Sequence, residues 1–177
     1  MKIVVAGGSG LVGSRLVTRL RDQGHEVAAA SRRTGVDTVT GDGLDEALRG
    51  AQVLVDVTNA PSFDEPAVTD FFRTSTRNLL DAGERAGIAH HVALSVVGTS
   101  KLQTSGYFRA KQVQEDLVRA ARVPHTMVEA TQFFEFMASI VPPGSGHDAV
   151  TLSSGLVQPV AADDVVAQLA QVAGDAP

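Results

Sequence analysis

The sequence predicts an α/β fold in which a doubly wound parallel sheet carries helices on both faces. Short apolar runs of strand length alternate with longer segments whose apolar residues recur every three or four positions. Glycines or prolines punctuate these segments, as they do at turns and helix ends. Alternating strands and helices form right-handed crossovers, which make the strands parallel. The 177 residues show no internal repeat or linker, so we expect a single domain over residues 1–177.

The first strand, turn and helix, KIVVAGGSGLVG at residues 2–13, give the strongest local signal. Ile3–Ala6 has the length and β-branched content of a buried strand, and an amphipathic helix pattern begins at Leu11. Glycines between them allow a tight turn and bring backbone N–H groups and a helix N-terminus close to a pyrophosphate. The spacing fits G-x-G-x-x-G from Gly8 and G-x-x-G-x-x-G from Gly7. We expect these residues to bind a dinucleotide: Gly7, Gly8, Ser9, Gly10, Leu11, Val12 and Gly13.

The second strand, His25–Ala30, leads into a turn with the sequence SRRT. NAD-binding versions of this arrangement place an Asp or Glu here, ~20 residues past the glycines, to hold the ribose 2′-hydroxyl. Arg32 and Arg33 stand there instead, and a guanidinium suits a phosphate. The turn therefore favours NADP(H) over NAD(H), with Ser31 and the two arginines as ligands. The alternative is a pair of solvated surface arginines.

The middle of the chain predicts a third strand over Val36–Thr40, a short helix over Leu44–Leu48 and a fourth strand over Gln52–Val57. Asp42, in the turn before the short helix, is placed either to approach the adenine or to form an Asx-type turn. The loop after the fourth strand lies at the sheet edge where ligands of open α/β sheets bind. We expect it to add three residues to the cofactor site: Thr58, Asn59 and Ala60.

The C-terminal half continues the alternation of strands and helices. A long amphipathic helix follows Pro66 and ends before Gly87, and a second helix extends from about Gly106 to Ala121. His91–Ser95 and His125–Glu129 predict the fifth and sixth strands. The remainder predicts a short helix over Thr131–Ile140, a mobile loop over 142–146, short strands at 150–152 and 156–160, and a last helix through Val172 capped by Asp163.

Three residues have the chemistry of a proton-transfer site. Tyr107, the single tyrosine, and Lys111 lie four positions apart, one above the other on a helix. A phenol has a pKa near ~10, and an ammonium one turn away lowers it, which suits proton transfer with a carbonyl or alcohol oxygen. Ser95, at the exit of the fifth strand, is placed to hold that oxygen. A Tyr–Lys pair alone is common on surfaces, but its place behind the glycine turn favours catalysis or cofactor binding.

Composition limits the classes of partner and compartment. The net charge of −5 gives no electrostatic reason for binding nucleic acid or an acidic membrane. Cysteine is absent, which excludes disulfides and thiol nucleophiles. The sequence shows no charged leader with an apolar core and no apolar run near ~18 residues, so we expect a cytoplasmic protein. The five histidines lack metal-ligand spacing, so no metal is expected.

Four motifs together resemble the short-chain dehydrogenases/reductases, in the extended or atypical group that includes the NmrA-like NAD(P)-binding proteins. They are GGSGLVG at 7–13, the strand-end Ser95, YFRAK at 107–111 and Thr131–Phe133 after the sixth strand. The loop over residues 59–61 echoes the family's Asn-Ala-Gly, with proline replacing glycine.

The resemblance implies a Rossmann-like fold and specific roles for the site residues. By this likeness Tyr107 is the proton donor, Lys111 binds the nicotinamide ribose and tunes the tyrosine, and Ser95 orients the substrate oxygen. Three residues would line the nicotinamide end: Thr131, Gln132 and Phe133. The likeness covers about the first 140 residues, and the region over 131–177 is shorter than the substrate side of relatives. We therefore expect a pocket that is open, completed by a second chain, or used for another reaction.

Three functions are compatible with these features. The first is an NADPH-dependent oxidoreductase that reduces a carbonyl or quinone-like small molecule, with Tyr107 as proton donor. The second is a non-catalytic NADP(H)-sensing regulator, as among NmrA-like proteins. The third is a redox-neutral isomerase, dehydratase or cyclase on the same scaffold. The helices predicted over 67–86 and 106–121 are where relatives often pair, which is compatible with a homodimer.

Overall fold

The computed structural model describes residues 1–140 and 157–175. These residues form a Rossmann-like α/β domain around a five-stranded, all-parallel sheet in the order β2-β1-β3-β4-β5. The strands are β1 Lys2–Ala6, β2 Glu26–Ala30, β3 Val53–Asp56, β4 His90–Val96 and β5 His125–Ala130. The helices are α1 Leu11–Asp22, α2 Leu44–Leu48, α3 Ala67–Ala86, α4 Gly106–Arg119 and α5 Ala162–Gly174. The predicted fold class is confirmed.

Both faces of the sheet are covered, which explains why β1 is apolar from Ile3 to Ala6 rather than alternating. Ile3 and Val5 pack into one core with side chains of α1 and α5. Val4 and Ala6, pointing the other way, pack into a second core with side chains of α2 and α3. The chain passes from β1 to β2 on one side of β1 and then returns across β1 to β3 on the other side, so the direction of the crossovers reverses at β1. A crevice therefore opens at the carboxyl ends of β1 and β3, the usual ligand position in such sheets.

The strand predicted over Val36–Thr40 is wrong: this segment forms turns. The Asp37 side chain accepts hydrogen bonds from the backbone N–H groups of Val39 (2.8 Å) and Thr40 (3.4 Å). The Asp37 N–H in turn donates to the carbonyl of Asp42 (2.9 Å). A short acidic side chain that bonds its own neighbouring backbone competes with strand pairing, and here the local turn wins.

The capping role predicted for Asp163 is also wrong. Helix α5 begins at Ala162, and its N-cap is Ala161, two residues before Asp163, with no side-chain cap bond from that residue. Instead, the carboxylate of Glu135 accepts the backbone N–H of Ala162 (3.2 and 3.3 Å). Arg15 of α1 bonds both Glu135 (2.8 Å) and Asp163 (2.9 Å), so an ion-pair cluster ties the end of the chain to α1.

The region after β5 matches the prediction in part. The helix predicted over 131–140 is a 3₁₀ helix over Phe134–Ile140. Of the strand predicted over 156–160, the described residues 157–160 contain one parallel bridge, between Val160 and Phe133. The loop predicted over 142–146 and the strand over 150–152 lie outside the described residues.

Candidate functional site

A cavity of about 600 Å³ lies at the carboxyl ends of the strands, within the size range of small-molecule sites. It follows the sheet edge from the turn after β2 to the segments after β4 and β5. Most residues predicted to form the site line it: Gly7, Ser9, Gly10, Leu11, Val12, Gly13, Ser31, Arg32, Arg33, Thr58, Asn59, Ser95, Tyr107, Lys111, Thr131 and Phe133. Four predicted cofactor ligands do not line it: Gly8, Asp42, Ala60 and Gln132.

Gly8 and Asp42 have structural roles instead. A Cβ on Gly8 would lie 2.8 Å from the Val5 carbonyl oxygen and 2.9 Å from the Ala29 Cα, so this glycine permits close packing of the turn on β2. The Asp42 carboxylate accepts the Thr40 hydroxyl (2.8 Å) and stabilises the turn before α2. The Asx-type turn considered for Asp42 is not the observed contact, because the Leu44 N–H donates to the Gly41 carbonyl (3.3 Å) and the carboxylate bonds a side chain instead.

Ala60 and Gln132 also serve packing and backbone pairing. Ala60 is buried in a small cluster with Phe72 of α3. The Gln132 side chain is exposed, and its backbone carbonyl accepts the N–H of Val160 (2.9 Å). Neither side chain is among those that line the cavity.

The glycine turn has the geometry that a diphosphate requires. Gly7, Gly10 and Gly13 line the cavity, which favours the G-x-x-G-x-x-G spacing. Gly10 is the N-cap of α1, no side chain caps this end, and the first turn contains no acidic residue. The N–H groups that begin a helix need acceptors, and the helix dipole favours an anion there. The turn therefore fits the diphosphate of a nicotinamide dinucleotide.

The arginine turn lies at one end of the cavity. Arg32 and Arg33 belong to a 3₁₀ helix over Arg32–Thr34, directly after β2, and both side chains are exposed. Within residues 1–140 and 157–175, neither guanidinium has a carboxylate in ion-pair range. Two cationic side chains are thus available to an anionic ligand at this end.

Tyr107 lies among aromatic rings near the other end. Its hydroxyl donates a long hydrogen bond to Asn59 Oδ1 (3.4 Å). The rings of Phe63, Phe72 and Phe108 lie 5.3, 6.0 and 5.8 Å from its centroid. Burial raises the pKa of Tyr107 to about 12, opposite to the lowering expected from Lys111. The phenol is therefore protonated at neutral pH and able to donate.

The Lys111 ammonium is directed into the protein interior. It donates to the Leu94 carbonyl (2.9 Å) and to Gln114 Oε1, and it lies 4.7 Å from the centroid of the Phe72 ring. Gln114 continues the chain of bonds to the buried Asp56 (2.9 Å). Burial lowers the pKa of Lys111 to about 8, although the charges of Asp56 and Glu115 oppose this. These contacts occupy the ammonium without involving the Tyr107 hydroxyl.

The Ser95 hydroxyl also has an interior partner. It donates to Glu115 Oε1 (2.5 Å), and the other oxygen of Glu115 accepts from Arg119 (2.7 Å). A short O–H···O⁻ distance is typical of a charge-assisted bond. Ser95, Tyr107 and Lys111 thus line one cavity, but each is hydrogen-bonded to a different neighbour.

Sequence reasoning missed the polar residues beneath the site: Asp56, Gln114 and Glu115. All three are buried. Gln114 and Glu115 follow Lys111 by three and four positions and so share its helix face. This spacing could have been used to predict them from the sequence. The cavity-lining Asp37, Phe71 and Phe136 were missed as well, and local sequence carried no comparable signal for them.

Residues 1–140 and 157–175 contain no group of three or more His, Asp or Glu side chains that could hold a metal ion. Burial lowers the pKa of His91 to about 4, so this ring is neutral. No helix in the same part of the chain is long and apolar enough to cross a bilayer.

Comparison with protein families and curated proteins identifies the cofactor class. The model of the NAD(P)H-binding family matches residues 7–173. The photosystem II assembly factor Ycf39 of Cyanophora paradoxa is 25% identical over 76% of this chain, and the alignment covers 46% of that protein. The chain thus spans about half the length of the curated relatives it matches.

Two similar solved structures carry nicotinamide cofactors. MoeE5, in complex with UDP-glucuronic acid and NAD, has a TM-score of 0.80 and 19% identity, over 100% of this chain and 73% of that chain. Triphenylmethane reductase from Citrobacter sp., complexed with NADP(H), has a TM-score of 0.73 and 17% identity, over 100% of this chain and 67% of that chain. At these identities the likeness shows the fold.

Proposed function

This chain belongs to the NAD(P)H-binding family, and on that premise we propose that it is an NADPH-dependent oxidoreductase that reduces a carbonyl or quinone-like small molecule. The NAD(P)-binding character that the resemblance to the short-chain dehydrogenases/reductases implied is confirmed by this membership, and the similar solved structures share the fold. The observation that carries the proposal is one cavity that joins the glycine turn, the arginine turn and Tyr107.

Different parts of the cavity have different roles in this proposal. The glycine turn binds the diphosphate at the start of α1, Arg32 and Arg33 bind the 2′-phosphate, and Thr131 and Phe133 contact the nicotinamide end. The bound nicotinamide supplies a hydride. Tyr107, whose phenol is protonated at neutral pH, donates a hydrogen bond to the substrate oxygen and then transfers its proton as that oxygen becomes a hydroxyl. The surrounding rings limit the access of water to the phenol.

Replacing Tyr107 by phenylalanine tests the reaction. The ring and its packing remain, and only the proton donor is lost, so we expect kcat/KM to fall about 100-fold or more while the Kd of NADPH is unchanged. The measurement is NADPH oxidation followed by absorbance over a panel of quinones, ketones and aldehydes, with calorimetry for the Kd. Equal rates in the two proteins would remove Tyr107 from the chemistry.

Replacing Arg32 by alanine tests the cofactor preference. A lost charge-assisted contact to a phosphate should weaken NADPH binding by about 10-fold or more, and NADH binding should change little. Arg77→Ala is the matched control, since Arg77 is an exposed arginine of α3 outside the cavity. Calorimetric titration of NADPH and NADH into the wild type and the two variants gives the dissociation constants to be compared. Equal losses for NADPH and NADH would contradict the assignment to the 2′-phosphate.

A second candidate function is a non-catalytic NADP(H) sensor. It is favoured by the separate hydrogen-bond partners of Ser95, Tyr107 and Lys111, which leave the three side chains unconnected to one another. A sensor would bind NADPH in the calorimeter yet oxidise it with no member of the substrate panel. Turnover that depends on the Tyr107 hydroxyl would exclude this alternative.

A further inference from the structure

The cavity is divided by charge along the sheet edge. Its β2 end holds Arg32 and Arg33, whereas the end beyond β4 and β5 is lined mainly by apolar side chains, together with the uncharged Ser95 and Thr131. Of the described residues that line the cavity, two more are charged. Asp37 is bonded to the backbone of its own turn, and Lys111 is engaged in the interior. The described lining therefore offers no available charge to a molecule bound beside Tyr107.

Aromatic rings form much of this second end. Phe71, Tyr107, Phe133 and Phe136 line the cavity there. Phe133 and Phe136 pack edge to face, with centroids 5.9 Å apart and an angle of 61° between their planes. The Phe136 side chain nevertheless remains 47% exposed. Aromatic side chains that line a cavity and keep part of their surface accessible are typical of small-molecule sites.

We propose that the substrate is an uncharged, planar aromatic molecule, a fused-ring quinone or aryl aldehyde, that packs against Phe133 and Phe136. This deepens the proposed function and rests on it, because the same Tyr107 is the proton donor. Aromatic rings attract one another in edge-to-face and offset geometries beyond the burial of their area. An anionic substrate would lose hydration at this end without gaining a cation in return. This surface therefore favours ligands that have a large aromatic ring area and no charge.

The experiment compares three matched probes on the protein saturated with 1,4,5,6-tetrahydro-NADP, an analogue whose nicotinamide ring is uncharged, like that of NADPH, and transfers no hydride. The probes are 1,4-naphthoquinone, its anionic 2-sulfonate and the non-aromatic 1,4-cyclohexanedione. The chain has no cysteine, so thiol addition to the quinone does not interfere. Calorimetry should give a Kd for naphthoquinone about tenfold or more below those of the other two.

Phe136→Ala should weaken naphthoquinone binding about tenfold, whereas Phe134→Ala should leave it near the wild-type value. Phe134 is the matched control: it lies in the same 3₁₀ helix, is 58% exposed and does not line the cavity. Phe136→Leu preserves apolar volume and should still lose most of the affinity. If circular dichroism shows that Phe136→Ala perturbs the structure, Phe136→Leu still tests the role of the aromatic ring.

The outcomes separate this inference from the proposed function. Suppose that the protein binds the analogue normally. Equal affinity for the three probes, or an equal loss of naphthoquinone affinity in Phe134→Ala and Phe136→Ala, would then overturn the aromatic assignment alone. In that case Tyr107-dependent NADPH oxidation would still support a reductase. Failure of the wild-type protein to bind NADPH or the analogue overturns both.

Discussion

Gly13→Ala is expected to abolish measurable NADP(H) binding and to lower the free energy of unfolding by about 3 kcal/mol. A Cβ on Gly13 would lie 2.2 Å from the Gly7 carbonyl oxygen and 2.8 Å from both the Gly7 carbonyl carbon and the Gly8 Cα. All three atoms belong to the backbone of the turn, so no side-chain rotation relieves the overlap. Either the turn or the start of α1 has to move, and both form the surface that we propose for the diphosphate.

The matched control is Gly174→Ala, the same substitution in α5. A Cβ there meets nothing within 4 Å, so stability should be unchanged or slightly higher, because alanine suits a helix better than glycine. Urea unfolding gives the free energies, and calorimetric titration with NADPH gives the affinities. A Gly13→Ala protein that keeps wild-type stability and affinity would show that α1 does not pack this closely on the turn in solution.

Asp56→Ala is expected to lower the free energy of unfolding by about 3–5 kcal/mol. The carboxylate is fully buried and accepts three hydrogen bonds, from the backbone N–H (2.9 Å) and hydroxyl (2.7 Å) of Thr58 and from Gln114 (2.9 Å). It also supplies the largest charge interaction that favours the ammonium of Lys111. The substitution thus leaves one buried donor, on Gln114, and two part-buried donors, on Thr58, without an acceptor, and it removes the main counter-charge of a buried cation.

The double variant Asp56→Ala with Lys111→Met isolates the charge contribution. Removing both charges should recover part of the stability lost by the single change, since the unpaired ammonium is gone. Asp116→Ala, on the exposed side of α4, is the control for loss of a carboxylate and should cost little. Urea unfolding of the four proteins is the measurement. A double variant no more stable than the single one would show that the two charges do not compensate each other.

These contacts explain why Lys111 is directed away from Tyr107 in this structure. Asp56 ends β3, Gln114 lies one turn along α4 from Lys111, and the bonds among them join the helix to the sheet. A lysine on this helix face has strong acceptors beneath it, and the phenol above it is surrounded by rings. The polar layer under the cavity therefore competes with the Tyr–Lys pairing inferred from spacing alone.

The elements predicted correctly are those whose signal is local. Strand and helix periods identified the layers, and the glycine turn was evident because a backbone close to a diphosphate excludes side chains. The errors have long-range or side-chain causes. The segment Val36–Thr40 has residues typical of a strand, but the Asp37 carboxylate accepts the backbone N–H of Val39 and holds the segment in a turn. The N-terminus of α5 is satisfied by Glu135, 27 positions earlier in the chain, rather than by Asp163.

The sequence by itself determined the α/β class, the glycine turn at the start of α1 and the cationic turn after β2, because each depends on residues adjacent in the chain. The tertiary structure alone decided where Ser95, Tyr107 and Lys111 direct their polar atoms. Their hydrogen-bond partners come from other elements or from the same buried helix face, and burial, which raises the pKa of Tyr107 and lowers that of Lys111, exists only once those elements pack. Residue spacing brings groups to one cavity, whereas desolvation and competing partners determine what they do there.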